Sequence, residues 1–110
     1  MKFVFLNQPV TDLDEAVTFY RDVLGFEEAW REGEDTVSFY VPDRSAQIML
    51  VTDGLPAGPM YLVDDAQAWT AGHADLPVRV PRMEIPGGAV IGFDGPGGNV
   101  FYVFDQPDAE

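Results

Sequence analysis

Apolar and polar positions along this chain recur with two different periods, and the changes of period mark out its elements. Residues 2–6 form a short apolar run that reads as a strand. Asp12 follows as a helix N-cap, with Glu15 three residues on as its capping-box partner. Ala16, Phe19, Tyr20, Val23 and Leu24 then recur at i, i+3, i+4, i+7 and i+8. That spacing predicts an amphipathic helix with Phe19 and Tyr20 in its buried stripe. Gly25 supplies the stop. Residues 26–31, 36–41 and 46–52 are rich in β-branched and aromatic side chains and are separated by turn-forming segments, so they read as three strands. A Gly- and Pro-rich linker over 54–59 follows.

The order then repeats. Residues 60–63 read as a strand, 64–72 as a short helix capped by Asp64 or Asp65, and 78–85, 89–93 and 100–105 as strands. Pro81 breaks or bulges the first of these three, or places it at a sheet edge. Val10 and Val63 stand before the two helices, 53 residues apart (63 − 10), and Met49 and Tyr102 are separated by the same interval (102 − 49). The chain therefore reads as one α+β domain of two βαβββ modules, about 1–54 and about 55–110.

Composition narrows the chemistry. The chain has 19 acidic against 6 basic residues, a formal net charge of −13. Such a charge opposes nucleic-acid backbones and anionic membranes and favours the approach of cationic ligands. There is no cysteine, which excludes disulfides, thiolate catalysis and zinc–sulfur sites. No apolar run approaches the roughly 18–20 residues of a membrane span. Asp12, Asp14 and Glu15 interrupt the N-terminal segment too early for a signal peptide, so a cytoplasmic location is expected.

Two segments carry a family resemblance. Residues 10–26, V-T-D-L-D-E-A-V-T-F-Y-R-D-V-L-G-F, and residues 92–104, G-F-D-G-P-G-G-N-V-F-Y-V-F, together resemble the vicinal oxygen chelate superfamily. That superfamily includes glyoxalase I, extradiol dioxygenases and bleomycin-resistance proteins. The resemblance implies curved mixed sheets around a cleft, and a homodimer with clefts completed at its interface. It also implies where metal ligands would stand in the metalloenzymes of the family: Phe5, Met49, Gly58 and Tyr102, none of which chelates a hard divalent cation. With one histidine, no two-His-one-carboxylate centre forms within a chain. No metal and no other cofactor is expected.

Strand parity supplies the candidate pocket. If Phe5 faces the cleft, Asn7 does too; Gln47 shares a face with Met49, and Phe104 with Tyr102. Either Phe39 or Tyr40 joins them, with Phe39 favoured, and Tyr61, Trp30 and Trp69 complete the set of candidate ligand contacts. Rings, a thioether and a few amides suit a flat organic ligand held by stacking. Ser38 and Ser45 lack a neighbouring base, and His73 is expected to be exposed. The expected function is metal-independent sequestration of a planar or aromatic natural product, cationic ones included, in the manner of bleomycin-resistance proteins. The alternative is a metal-free lyase, isomerase or cyclase, with Tyr102, Glu84 and Asp94 as its acid–base candidates.

Overall fold

The computed structural model describes residues 1–107. Its contacts divide the chain into two compact units, Val4–Ala57, and Met1–Phe3 together with the residues from Gly58 onward. Each unit is a four-stranded mixed sheet with one short helix on one face.

In the first unit, β1 (Lys2–Pro9) leads to α1 (Leu13–Thr18), and β2 (Glu28–Glu32), β3 (Thr36–Tyr40) and β4 (Gln47–Val51) follow in antiparallel succession. The sheet order is β2-β3-β4-β1, with β4 and β1 parallel. Asp12 caps α1 as the sequence predicts, its carboxylate accepting from the Glu15 N–H at 3.0 Å. The buried stripe differs from the predicted one. Val17 enters the core with Val37, Phe39 and Leu50, and Leu13, Ala16 and Tyr20 pack against them. Phe19, Val23 and Leu24 are instead 46%, 68% and 44% exposed. The cause is a π-helical turn over Phe19–Val23, where the Leu24 N–H reaches back five residues to the Phe19 carbonyl. The wider turn breaks the 3.6-residue period from Phe19 onward, so Phe19, Val23 and Leu24 turn off the sheet while Tyr20 stays against it.

The second unit repeats the plan: β5 (Gly58–Leu62), α2 (Ala66–Ala71), β6 (Val78–Ile85), β7 (Gly88–Asp94) and β8 (Val100–Asp105). Its order is β5-β8-β7-β6, with β5 and β8 parallel. Gly58 and Pro59 belong to β5, although composition places them in a linker. The segment is extended because Gly58 lies against the Val100 carbonyl, where any Cβ would collide. Around Pro81, the β6–β7 register slips between Val80 and Met83, the irregularity that a proline without an N–H imposes on a ladder. Ala66, Ile91, Phe93 and Val103 form the core beneath α2.

The 53-residue repeat holds at atomic detail. Asp65 caps α2 through the Ala68 N–H as Asp12 caps α1 through the Glu15 N–H. The Val10 N–H donates to the Val51 carbonyl, and the Val63 N–H to the Phe104 carbonyl, each at 2.8 Å. Asn7 is registered with Met49, and Met60 with Tyr102.

Candidate functional site

In each unit the helix covers one sheet face, and pleating sends alternate side chains to the other. Strand register therefore decides which candidates can meet.

On the first unit's helix-free face, Phe5 pairs with Gln47, Asn7 with Met49, Ser38 with Met49, and Trp30 with Ser38. Their side chains form one cluster. The Trp30 indole N–H and the Ser38 hydroxyl both donate to the Gln47 Oε1, each at 2.8 Å. Phe5 meets the Trp30 ring edge-on, centroids 5.9 Å apart. The Asn7 side-chain amide donates to the Pro56 carbonyl at 3.0 Å, and Asn7 itself is buried. Five sequence-predicted residues, Phe5, Asn7, Trp30, Gln47 and Met49, thus share this face. Ser38 joins them unforeseen: it has no base beside it, and its role is to donate to Gln47. Glu28 and Arg31 flank Trp30 in sequence and pair at 2.7 Å, and the guanidinium holds the Glu28 carboxyl below its usual range.

Phe39 is a correction. It is fully enclosed on the opposite face, against Tyr20 and the residues beneath α1. Ser38 and Tyr40 hold the positions that alternate with it. Between two neighbouring aromatic residues in a strand, parity admits one to each face, and the α1 side takes Phe39.

In the second unit, Tyr102 and Phe104 face away from α2, with Gly92 and Val90 across from them on β7. Both rings are almost wholly enclosed, 2% and 1% exposed. Gly92 makes room for Tyr102, since a Cβ there would lie 2.9 Å from the Tyr102 ring. Tyr61 and Trp69 are a further correction, because they lie on the α2 side, apart from Tyr102 and Phe104. Tyr61 is registered with Val103. Trp69 packs on Phe93 and Phe101 beneath α2.

The residues at the family's metal positions do not fit a metal. In the first unit the paired positions offer a ring, a thioether and two amides, and the Gln47 oxygen already accepts two hydrogen bonds. In the second they offer Gly58, Met60 and Tyr102. Among the described residues no three His, Cys, Asp or Glu side chains come together in a metal-binding group.

The acid–base candidates are also accounted for. Asp94 is held by Arg79 at 2.8 Å, and Glu84 is exposed on β6. Glu84 borders a polar hollow with Asp64, Asp65, Arg82 and Asp105. Asp105 serves structure there, its carboxylate accepting from the Ala66 N–H at 2.6 Å and the Ala89 N–H at 3.1 Å. No described helix is long and apolar enough to cross a membrane.

Several solved structures share this fold. Methylmalonyl-CoA epimerase from Mycobacterium tuberculosis is 18% identical, with a TM-score of 0.73, covering 96% of this chain and 87% of its own. A hypothetical protein from Bacillus halodurans C-125 reaches a TM-score of 0.77 at 11% identity, covering 99% of this chain and 96% of its own. A glyoxalase/bleomycin resistance protein/dioxygenase superfamily member from Vibrio splendidus 12B01 is 19% identical, with a TM-score of 0.65 and coverages of 93% and 96%. No curated protein matches the sequence. The family model for the Glyoxalase/Bleomycin resistance protein/Dioxygenase superfamily matches residues 2–103, nearly the whole chain, and the chain belongs to that superfamily.

Proposed function

We propose that this protein is a metal-independent binder that captures a planar or aromatic natural product, such as an antibiotic, and releases it unchanged. One observation carries the reading: on the first unit's helix-free face the Trp30, Ser38 and Gln47 side chains are hydrogen-bonded to one another, and no carboxylate or imidazole takes part in that network. Gln47 accepts from Trp30 and Ser38, with Phe5 and Met49 beside them. Such a surface offers ring edges, a soft thioether and the remaining amide N–H groups of Gln47. It can stack and orient a flat ligand, and none of the three hydrogen-bonded side chains is an acid or base that would move a proton.

Protection by capture requires slow release rather than turnover. The net charge of −13 speeds the arrival of cationic ligands. A homodimer in a cytoplasmic setting belongs to the same proposal, with the exposed Phe19, Val23 and Leu24 offering apolar surface to a second copy. The fold also hosts an epimerase, so the test must read chemistry as well as binding.

That test uses the Trp69→Phe variant, which leaves Trp30 as the sole indole reporter. It is titrated with a panel of planar antibiotics in chelator-treated buffer, and the recovered ligand is weighed by mass spectrometry. Saturable fluorescence change at one ligand per chain, with ligand mass intact, is the expected outcome. Altered ligand in excess of one equivalent would make the protein a metal-free enzyme and end the capture reading.

A further inference from the structure

Tyr61 and Trp69, absent from the face they were expected to line, meet on the α2 side of the second unit. There they border an open hollow of about 620 Å³, together with His73, Leu76, Pro96 and Phe101. Its volume falls in the range of small-molecule sites, roughly 300–1,000 Å³. Phe101 stands edge-on to both Tyr61 and Trp69, at 6.4 Å in each case. At these distances the three rings are already in edge contact, so together they form a continuous aromatic wall of the hollow.

The polar side chains that border the hollow are those of His73, Asn99 and Tyr61, and His73 is the one held by a ring stack. The His73 imidazole stacks on the Trp69 indole at 3.8 Å and 15°. Its Nδ1 lies 2.7 Å from the Trp69 carbonyl oxygen. A carbonyl only accepts, so Nδ1 carries the proton, and in the neutral ring Nε2 is left with its lone pair. A stacked ring cannot turn without losing both contacts. The site therefore holds a fixed hydrogen-bond acceptor beside apolar ring walls.

We propose that Tyr61, Trp69, His73 and Phe101 form a second small-molecule site, which takes a planar aromatic ligand bearing a hydroxyl or N–H donor. The donor hydrogen-bonds to His73 Nε2 while the ring packs against the wall made by Trp69, Phe101 and Tyr61. A phenol is the simplest member of the class. This site is separate from the Trp30 face and stands or falls independently of the capture proposal.

Nuclear magnetic resonance reads the two sites apart, because the chain has two tryptophans and one histidine. The intact protein is titrated with β-naphthol and separately with its methyl ether. β-Naphthol is expected to shift the Trp69 indole and His73 ring signals saturably. The methyl ether, which has no donor, binds roughly tenfold more weakly, the worth of one neutral hydrogen bond. His73→Phe retains a stacking ring and removes the acceptor, so the two ligands should then bind alike. Movement of the Trp30 signal alone, or of none, overturns the inference, as does equal binding of the ether to the unmodified protein. It is equally overturned if the Trp69 and His73 signals move with protein concentration in the absence of ligand while the mass in solution doubles. A second copy would then occupy the hollow.

Discussion

Gln47 shows how much one side chain can organise. Its oxygen accepts from Trp30 and from Ser38, which joins three strands of the first unit through side chains alone. Gln47→Leu leaves a half-buried indole N–H without its acceptor and a fully buried hydroxyl with only the Ile48 carbonyl, 3.5 Å away. The expected cost is about 1–3 kcal/mol in urea unfolding, along with loss of ligand-induced change at Trp30. If stability and ligand response are both unaltered, the cluster is not the organising feature. Asp105 plays the corresponding part in the second unit, with one oxygen on the first helical N–H of α2 and the other on β7. Asp105→Ala should destabilise by roughly 2–4 kcal/mol, since two buried amides lose a charged acceptor. Neither network is legible in the sequence. Parity places Gln47 on a face, but nothing in residues 30, 38 and 47 announces that they converge. Asp105 reads only as the end of a strand.

At the scale of elements, the caps and strands follow from local pattern and the helix stripe does not. Asp12, Gly25, Pro81 and the β-branched runs each act through local sterics or local hydrogen bonds, and each does in the structure what its chemistry predicts. The buried stripe of α1 depends on periodicity being maintained, and the π-helical turn interrupts it after Thr18. Two substitutions separate the predicted stripe from the observed one. Val17→Ala should cost about 2 kcal/mol, because it empties part of a core. Val23→Lys should stay within about 0.5 kcal/mol, because that side chain is already in solvent. Chemical denaturation of the two variants settles which residue the core contains; a large loss from Val23→Lys would restore the regular helix. Phe39, Tyr61 and Trp69 lie on faces other than the expected ones for a related reason. A strand with aromatic residues on both faces, or an aromatic residue on a helix, does not reveal from sequence which partner it packs against. The surface pair Glu28–Arg31 adds a small pH effect of known sign. The Glu28 carboxyl is held low in the folded chain, so its contribution is present above the ordinary glutamate pKa and disappears as pH falls through the folded value.

For the whole molecule, duplication is the dominant fact. A 53-residue translation carries cap onto cap, bridging amide onto bridging amide and strand pair onto strand pair. The repeat was visible in the spacing of Val10 to Val63 and of Met49 to Tyr102. The side chains have diverged over the same scaffold: Ala16 of α1 and Tyr20 of the π-helical turn correspond, 53 residues on, to Trp69 and His73. That is how the second unit comes to hold the Trp69–His73 stack. The charge of −13 belongs to the molecule rather than to any site. A cationic planar ligand should therefore bind more weakly as salt rises, through slower association, and a neutral analogue should not. Stopped-flow titrations at low and high ionic strength test this, and equal salt response of the two ligands would remove steering from the account.

The central claim is that binding needs no metal. It is tested most directly by isothermal titration of one captured ligand into the Trp69→Phe protein, first in excess chelator and then after dialysis against zinc, nickel or manganese ions. The residues of the helix-free faces predict the same affinity in every buffer. Binding or turnover that appears only with one of the metals would contradict the claim and return the protein to the metal chemistry of its superfamily.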